Sequence, residues 1–452
     1  MPPSHSTTRD PSLDDSPSRG RSAPGMKAAI RALAHRNFRL FFAGQSISLI
    51  GTWMTRIATA WLVYRLTGSA WLLGIVGFAG QIPTFLLAPI AGVWVDRLNR
   101  RSVLVVTQAL AMLQSLALAA LTLSHRVTIT EIVFLSAMQG LINAFDMPGR
   151  QAFMVEMVEG REDLANAIAL NSSMVNMARL IGPSLAGLVI AGFGEGYCFL
   201  IDGLSYIAVI ASLLMMHVHV RRLLAVESPM LERLREGWEY VSRFAPVRTI
   251  LLLFAIISLM GMPFTVLMPI FAAKVLHGGA HTLGFLMGAL GAGALAGAVV
   301  LAMRSSVLGL GRLIAINAAI FGGGLVAFAF SHFEWLSLLL MLVTGYGMMQ
   351  QMAASNTIIQ TVVPEDKRGR VMSYYTMAFV GMAPFGSLLA GALAHAVGAP
   401  VTLAITGGCC IAGAAWFTTQ LPMIRMHIRP VYRELGILPP EVAAAIAETA
   451  TR

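Results

Sequence analysis

Long apolar stretches recur along the whole chain, and they restrict its possible folds more than any other feature. Each is roughly 20 residues long, the length of helix that crosses a hydrocarbon core of about 30 Å. Charged residues make up only 12% of the chain and hydrophobic residues 56%, whereas about a quarter of the residues of a soluble domain are charged. The sequence therefore predicts an all-α membrane protein with twelve spans. These lie near 38–63, 70–94, 103–124, 130–148, 164–193, 197–216, 249–273, 281–303, 313–331, 335–355, 371–397 and 400–421.

The positive charges are distributed unevenly between the two sides of this predicted bundle, and the formal net charge is +10. With the N-terminus inside, only Arg65, Arg126 and Lys274 face outward, while Arg56 and Arg179 lie within spans. Cytoplasmic loops of membrane proteins carry such an excess of Lys and Arg. The charge thus predicts cytoplasmic termini, a location in the bacterial inner membrane and contact with anionic lipid, and it argues against binding to nucleic acid.

Polar segments divide the chain into five parts. The predicted parts are a disordered cytoplasmic tail at 1–37, a six-helix bundle at 38–216, a cytoplasmic linker at 217–247, a second six-helix bundle at 248–421 and a cytoplasmic tail at 422–452. Within the linker, Leu231, Leu234 and Trp238 recur at helical spacing. They predict an amphipathic helix, which lies either on the inner membrane surface or on the cytoplasmic ends of the bundle. The sequence is compatible with a translation start at Met1 or at Met26.

The two bundles are related by an internal repeat. A shift of 210 residues lays ten residues of the segment Ile47–Gly74 on identical residues of the segment Ile257–Gly284. A shift of 204 residues matches five positions of Gly182–Gly194 in the same way. Parallel repeats of six helices are typical of carriers in which a site at the membrane midplane opens alternately to each side.

The predicted loop between spans 2 and 3 carries a specific motif. It contains Gly92, then Asp96 four residues later, then Arg97 and the basic pair Arg100 and Arg101. In this loop the chain resembles the major facilitator superfamily. The resemblance implies that the glycine packs against helix 11 and that the aspartate interacts with the start of that helix, holding the cytoplasmic gate in the outward-open state.

The implied partners of the motif are Arg368 and Arg370, which enter span 11. A carboxylate beside a helix N-terminus is favoured by about 0.3 to 1 kcal/mol when exposed. In the repeat copy of the loop, Gly297 is followed four residues later by Leu301, so the acidic position is lost. We therefore expect an asymmetric gate.

Other segments are similar to one branch of that superfamily, the drug and siderophore exporters typified by macrolide-efflux and enterobactin-export proteins. The similar segments are 38–51, 62–74, 146–151, 164–183 and 369–371. In span 5, Gly182, Pro183 and Gly187 partly match the exporter motif, with Ala186 in place of a further glycine. Plain helix packing also accounts for these residues, because small residues permit close contact and proline permits bending.

One position departs from the proton-coupled drug exporters. Many of them carry an arginine three residues before a Gln-Gly pair in helix 4. Here Gln139 and Gly140 are present, but the earlier position is Ser136. The mode of coupling therefore does not follow from the resemblance.

Ionisable residues at membrane depth are candidates for coupling, because they are expensive to bury. They are Asp202, Arg56, Arg179, Asp146 and Arg150, all in the first half. Asp202 and Arg56 lie at similar predicted depths. One hypothesis makes Asp202 an exchangeable carboxylate with Arg56 as its partner. A static salt bridge, or an aspartate that faces the outer vestibule, is the alternative.

The second half is uncharged at depth and rich in methionine and aromatic residues, which suit promiscuous binding surfaces. The cavity candidates are Met260, Met262, Phe264, Met268, Met348, Met352, Gln351, Asn356, Tyr374, Tyr375 and Phe379. Contact with lipid or packing between helices is the alternative for this set.

The function predicted from these observations is export of amphipathic small molecules, drug-like or siderophore-like, by a monomer that uses alternating access and proton antiport. The sequence contains no phosphate-binding ATP motif and no catalytic constellation, so it predicts neither an enzyme nor a cofactor. No metal site is predicted either, because the three cysteines fit no zinc spacing. A lysophospholipid or nutrient carrier of the same fold, or a membrane sensor that binds without transport, is the alternative.

Overall fold

The computed structural model describes residues 31–158, 161–217, 230–304 and 306–437, and these residues form an almost entirely helical bundle. A short 3-10 helix at Arg31–Ala34 precedes the first long helix. The long helices are α1 Arg36–Thr67, α2 Ala70–Arg97, α3 Arg100–Leu123, α4 Ile129–Met157, α5 Arg161–Phe193, α6 Glu195–Met215, α7 Ala245–Val275, α8 Ala280–Ala302, α9 Leu310–Ala329, α10 Glu334–Val362, α11 Glu365–Val397 and α12 Ala399–Glu434. A shorter linker helix, Met230–Arg243, lies between α6 and α7.

Ten of the described helices are long and apolar enough to cross a membrane. The helices α1 and α4 are 32 and 29 residues long but are not among those ten. Both contain charged residues near their middle or inner part, Arg56 in α1 and Asp146 with Arg150 in α4. These charged residues lower the mean hydropathy of α1 and α4 relative to the other ten long helices.

The pattern of helix contacts repeats between the halves. In the first half α1 packs on α6, α2 on α4, and α3 on both α4 and α6. In the second half α7 packs on α12, α8 on α10, and α9 on both α10 and α12. These are the same pairs after a shift of six helices, so the internal repeat of the sequence is also a repeat of packing.

Glycines allow the two halves to meet closely. The helix α2 packs on α11, and α5 packs on α8. A Cβ atom added to Gly391 would lie 2.8 Å from the Gly74 Cα, and one added to Gly284 would lie 2.8 Å from the Gly187 Cα. Such distances exclude any side chain, so each contact depends on a pair of glycines. We call these two contacts the glycine seals.

Both seals lie on the side of the bundle opposite the linker helix. We call this the far side, and we call the side with the linker helix and the start of α11 the linker side. Contacts between the halves extend inward as far as Gly381 against Phe85 and Gly291 against Leu180. Towards the linker side, an added Cβ at Gly92 or Gly369 would meet no atom of the described residues within 4 Å. The halves are thus sealed on the far side and separated at these linker-side positions.

Several boundaries differ from the prediction. The last helix continues to Glu434, beyond the predicted end at 421, because a helix persists where basic residues replace apolar ones. In the predicted N-terminal tail, Arg31 forms an ion pair with Asp163 of α5. The linker helix forms where it was expected, although the side chains of Leu231 and Leu234 lie outside the described part of the chain.

The second half contains π-helical turns that hydropathy did not predict. They occupy Ile257–Gly261 and Phe271–Val275 of α7 and Met377–Gly381 of α11. The Ser258 hydroxyl donates a 2.5 Å hydrogen bond to the Phe379 carbonyl, which ties the first and third of these turns together. Single π turns are often found at functional positions of helices.

Candidate functional site

Two arginines and one tryptophan form a cluster near the middle of the first half. The Arg56 guanidinium lies 4.8 Å from the centre of the Trp53 ring, and the Arg179 guanidinium lies 5.3 Å from it. Trp53 and Arg56 are three residues apart on α1 and therefore share a face. Trp53 reaches α5 because Gly182 has no side chain at the point where the two helices touch.

Both arginines point to the interior of the bundle. On α5, Arg179 lies nine residues before Leu188, whose side chain is 52% exposed. At 3.6 residues per turn, nine residues correspond to about 180°, so Arg179 lies opposite that exposed face. On α1, Arg56 lies nine residues after Ile47, which is 56% exposed. Both guanidiniums therefore lie on the side of their helix opposite an exposed apolar residue.

Neither arginine has a carboxylate partner among the side chains that the structure describes. Arg179 Nε is buried and has no hydrogen-bond partner there, and Arg56 is exposed to the interior. None of the ion pairs in the described part of the chain includes Arg56 or Arg179. The cluster therefore carries two positive charges without a visible counter-charge.

Asp202 of α6 is the most isolated acidic group of the first half. It is only 2% exposed, and its Oδ2 accepts hydrogen bonds from Thr55 Oγ1 at 2.9 Å and Ser115 Oγ at 3.1 Å. Its Oδ1 has no partner within the described residues. The expected pairing with Arg56 is not formed, because Thr55 is the residue of α1 that faces Asp202. The carboxyl thus joins α1, α3 and α6 without an ion pair.

Asp146 and Arg150 do form a pair, at i,i+4 on α4. Asp146 Oδ1 also accepts hydrogen bonds from Gln108 Nε2 at 2.7 Å and Thr107 Oγ1 at 3.1 Å. The carboxylate is therefore fully satisfied by α3 and α4. This arrangement is that of a structural link between two helices within one half.

The predicted gating motif lies at the linker-side end of α2 and the start of α3. Arg100 pairs with Glu156 of α4 at 2.6 Å, and Arg101 donates to the Leu213 and Leu214 carbonyls at the end of α6. A cation at a helix C-terminus is favourable. Arg97 is exposed, and the Asp96 side chain lies outside the described part of the chain. Both members of the basic pair thus hold the first half together.

The start of α11 contacts the linker helix. Arg370 forms an ion pair with Glu236 at 2.5 Å, and the Trp238 ring packs on Tyr374 with centroids 6.0 Å apart. Arg368 lies 3.8 Å from Glu365 within α11 itself. The linker helix therefore rests on the end of the bundle, which was one of the two expected positions.

The three residues of the span 5 motif all lie at helix contacts. Gly182 accommodates Trp53 of α1. The Pro183 carbonyl lies 2.6 Å from a Cβ added to Gly284, and Gly187 forms a glycine seal with the same residue. The motif thus positions both the arginine cluster and one of the two seals.

Most of the cavity candidates of the second half are packed between helices. Tyr375 donates its hydroxyl to the Met352 carbonyl and stacks on Phe254, with centroids 4.5 Å apart. Buried members of the set are Phe264, Met268, Met348, Gln351 and Tyr375. Partly exposed members are Met260, Met262, Met352, Asn356, Tyr374 and Phe379. The alternative of packing between helices therefore describes the buried members in this conformation.

Sequence reasoning missed several residues of the site. Trp53 was recognisable as an aromatic residue three positions from Arg56. Its contact with Arg179 was not, because Arg179 belongs to α5. Glu195, which forms a two-bonded ion pair with Arg65 at 2.7 and 3.2 Å, was missed because helix ends were uncertain. Ser115 could not be identified from the sequence, since nothing in α3 marks the residue that faces α6.

Comparison with known proteins identifies the family. The family described as transmembrane secretion effector matches residues 27–449. A staphyloferrin A transporter of Staphylococcus aureus is 26% identical over 372 residues, covering 82% of this chain and 92% of that protein. The multidrug efflux pump Tap of Mycolicibacterium fortuitum is 28% identical over 404 residues, covering 86% of this chain and 94% of that protein.

Solved structures show the same fold. A bacterial homolog of the human lysosomal transporter Spinster superposes with a TM-score of 0.68 at 12% identity, covering 90% of this chain and 99% of that chain. The family match covers almost the whole chain, including both six-helix halves and the arginine cluster of the first half. The chain therefore belongs to the transmembrane secretion effector family of major facilitator transporters, and it is a membrane transporter and not an enzyme.

Proposed function

We propose that this transporter exports amphipathic small molecules across the bacterial inner membrane by alternating access, driven by proton antiport. The observation that carries the proposal is the one-sided contact between the halves, with charged groups facing the interior behind the seals. The relatives described as efflux pumps favour the outward direction. In this proposal all twelve long helices cross the membrane, including α1 and α4, and a single chain is the working unit.

The linker side is the cytoplasmic side in this proposal. The excess of Lys and Arg on the connections of that side supports the orientation. The structure then corresponds to the inward-open state, in which the glycine seals close the outer side. Export requires that the seals part while the linker-side ends of the halves come together, where the sequence motif around Gly92 and Asp96 lies.

Asp202 is the proposed exchangeable carboxylate. It is buried among α1, α3 and α6 and forms no ion pair within the described part of the chain, so no described cation holds it permanently in the charged form. Its hydroxyl partners, Thr55 and Ser115, donate to a charged carboxylate and can also accept from a protonated one. A proton exchange at this position therefore changes the hydrogen bonds between three helices of the same half.

The test is transport by inverted membrane vesicles that contain the protein, energised to an inside-acidic gradient, with dyes, macrolides and catecholate siderophores as substrates. We expect uptake into the vesicles that a protonophore abolishes. Asp202→Asn should lose this dependence on the gradient, whereas Glu195→Gln on the same helix should keep it, because Glu195 already has Arg65 as its partner.

Three outcomes would contradict parts of the proposal. Transport in the opposite direction would indicate a nutrient or lysophospholipid carrier, and binding without movement would indicate a sensor. Flux that the protonophore does not change, or an Asp202→Asn variant with full gradient-driven transport, would exclude proton antiport through this residue.

A further inference from the structure

We propose that Trp53, Arg56 and Arg179 form a binding site for the carboxylate of an organic anion, so that the exported substrates of this protein are anionic amphiphiles. The inference rests on the proposed function and adds the chemical class of the substrate. It follows from the charge of the interior and from the geometry of the two guanidiniums.

Few charged residues lie within the membrane-spanning parts of the helices. The spans of the second half contain no acidic residue, because Glu334, Glu365, Asp366 and Glu434 lie at the ends of α10, α11 and α12. The repeat mates of Arg56 and Arg179 are Val266 and Ala383. The second half therefore offers nothing that could neutralise the two arginines.

Among the described residues at membrane depth, the first half offers no counter-charge either. Asp146 is already paired with Arg150, and Glu195 is paired with Arg65. Asp202 directs its Oδ2 to Thr55 and Ser115 and forms no ion pair within the described residues. The interior charge of the cluster thus stays positive, and a charge at membrane depth is costly unless a partner neutralises it.

The two guanidiniums lie close to each other. Both lie over one indole ring, so their central carbons are no more than about 10 Å apart. Two like charges at such a distance repel each other in a medium of low dielectric constant. The indole ring attracts each guanidinium through cation–π contact and so keeps both in place without neutralising either.

The N–H groups of the two guanidiniums are suited to binding a carboxylate. A guanidinium has five N–H donors in a planar fork, which matches the two oxygens of a carboxylate. Arg179 Nε is buried without an acceptor among the described residues. A carboxylate that enters from the open linker side would accept from the donors of this cluster and would supply the missing counter-charge.

The seals place this site at the closed end of the interior. Gly291 of α8 would contact Leu180 and the Arg179 carbonyl if it carried a Cβ, at 2.8 and 2.9 Å. Arg179 is thus next to the last contact between the halves before they separate. A ligand held there touches the position from which the halves must part.

The experiment measures equilibrium binding of dansyl-glycine and of its methyl ester to the purified full-length protein in detergent. The two probes share the aromatic group and differ in the negative charge. We expect dansyl-glycine to bind at least about tenfold more tightly than the ester, because only the acid can accept charge-assisted hydrogen bonds as an anion; tenfold corresponds to about 1.4 kcal/mol.

Arg56→Gln and Arg179→Gln should each remove this preference, and Arg126→Gln, in the exposed connection between α3 and α4, should retain it. Arg56→Lys and Arg179→Lys keep the charge and should retain a reduced preference, and they serve if a glutamine variant does not fold. Equal binding of the two probes by the unmodified protein, or an unchanged preference in both glutamine variants, would overturn the inference.

Binding is measured without a gradient, so its result does not depend on transport. Preference for the anion without flux would contradict the proposed export and leave the binding site intact. Gradient-driven flux of neutral dyes together with equal binding of acid and ester would support export and overturn the anionic site.

Discussion

Neighbouring residues of α1 contact different partners, because they lie on different faces of the helix. Thr55 donates to Asp202 of α6, while Arg56, the next residue, lies over Trp53 and faces the interior. Successive residues of a helix are separated by about 100°. Asp202 and Arg56 are therefore kept apart, as the proposed proton site and the proposed anion site require.

The two aspartates of the first half should respond differently to neutralisation. Asp146→Asn leaves Arg150 without its partner, and removal of one member of a buried pair costs about 3 to 5 kcal/mol. Because Arg150 is partly exposed, we expect a loss of about 2 kcal/mol of unfolding free energy. Asp202→Asn should cost less, since it breaks no ion pair.

The measurement is thermal unfolding of the two variants in the same detergent. Asp146→Asn should lower the midpoint clearly more than Asp202→Asn. The opposite order would show that the Asp202 carboxylate has a charged partner and would contradict the isolation described above.

The position of a residue along a helix was easier to predict from the sequence than the face of the helix on which that residue lies. Hydropathy located the apolar helices, and the repeat located their mates, because both depend on position along the chain. The expected pairing of Arg56 with Asp202 relied on equal depth alone and was wrong in this structure. Trp53 joined Arg56 to Arg179 instead, and that contact depends on how α1 and α5 approach each other at Gly182.

At the scale of helices, packing determines which of the methionine and aromatic residues are buried, and composition alone does not predict this. Phe264 and Met268 belong to a segment rich in methionine and aromatic residues, and both are buried between helices. The continuation of α12 beyond 421 was also unpredictable from hydropathy, since basic residues are compatible with a helix that leaves the membrane. A substrate surface in the second half therefore cannot be recognised from composition alone.

The seal between α5 and α8 should be sensitive to a single methyl group. In Gly284→Ala the new Cβ would lie 2.6 Å from the Pro183 carbonyl and 2.8 Å from the Gly187 Cα. Overpacking of this kind costs about 1 to 3 kcal/mol, and the cost falls only on the state with a closed far side. We expect strongly reduced flux without loss of folded protein.

The matched control is Gly323→Ala in α9, where an added Cβ meets no atom within 4 Å. Both variants add the same methyl group to a glycine of a long helix. If vesicle flux is the same in the two variants, the seal does not depend on the glycine pair.

The ion pair between the linker helix and α11 should favour the conformation described. Glu236→Gln releases Arg370, which together with Arg368 is an expected partner of Asp96 according to the family resemblance. Partly exposed pairs contribute at most about 1 kcal/mol, so a shift of up to about fivefold towards the state closed on the linker side is expected.

The measurement is the alkylation rate of a cysteine placed at Ser172, on the open face of α5. Glu236→Gln should lower this rate, while Glu239→Gln, which removes the exposed pair with Arg243 inside the linker helix, should not. A higher rate in Glu236→Gln would mean that the pair holds the linker side closed.

For the whole molecule, the decisive property is that the described conformation is closed on the far side and open at the linker-side positions Gly92 and Gly369. In a protein whose three native cysteines are replaced by alanine, a cysteine at Ser172 should react with an impermeant maleimide added from the linker side. A cysteine at Ser387, buried in the contact between α2 and α11, should not react from that side. Reaction of Ser387→Cys at the same rate would contradict the one-sided opening.

The glycine seals have a consequence for the origin of the molecule. Gly74 and Gly284 are repeat mates, and Gly187 and Gly391 are repeat mates, so the two seals are two copies of one contact. In an ancestor with only six helices, the same contact would be isologous, with Gly74 of one subunit against Gly187 of the other. The two halves of the present chain correspond to the two subunits of such a dimer, joined by the linker. The two halves differ in charge, since Arg56 and Arg179 of the first correspond to Val266 and Ala383 of the second.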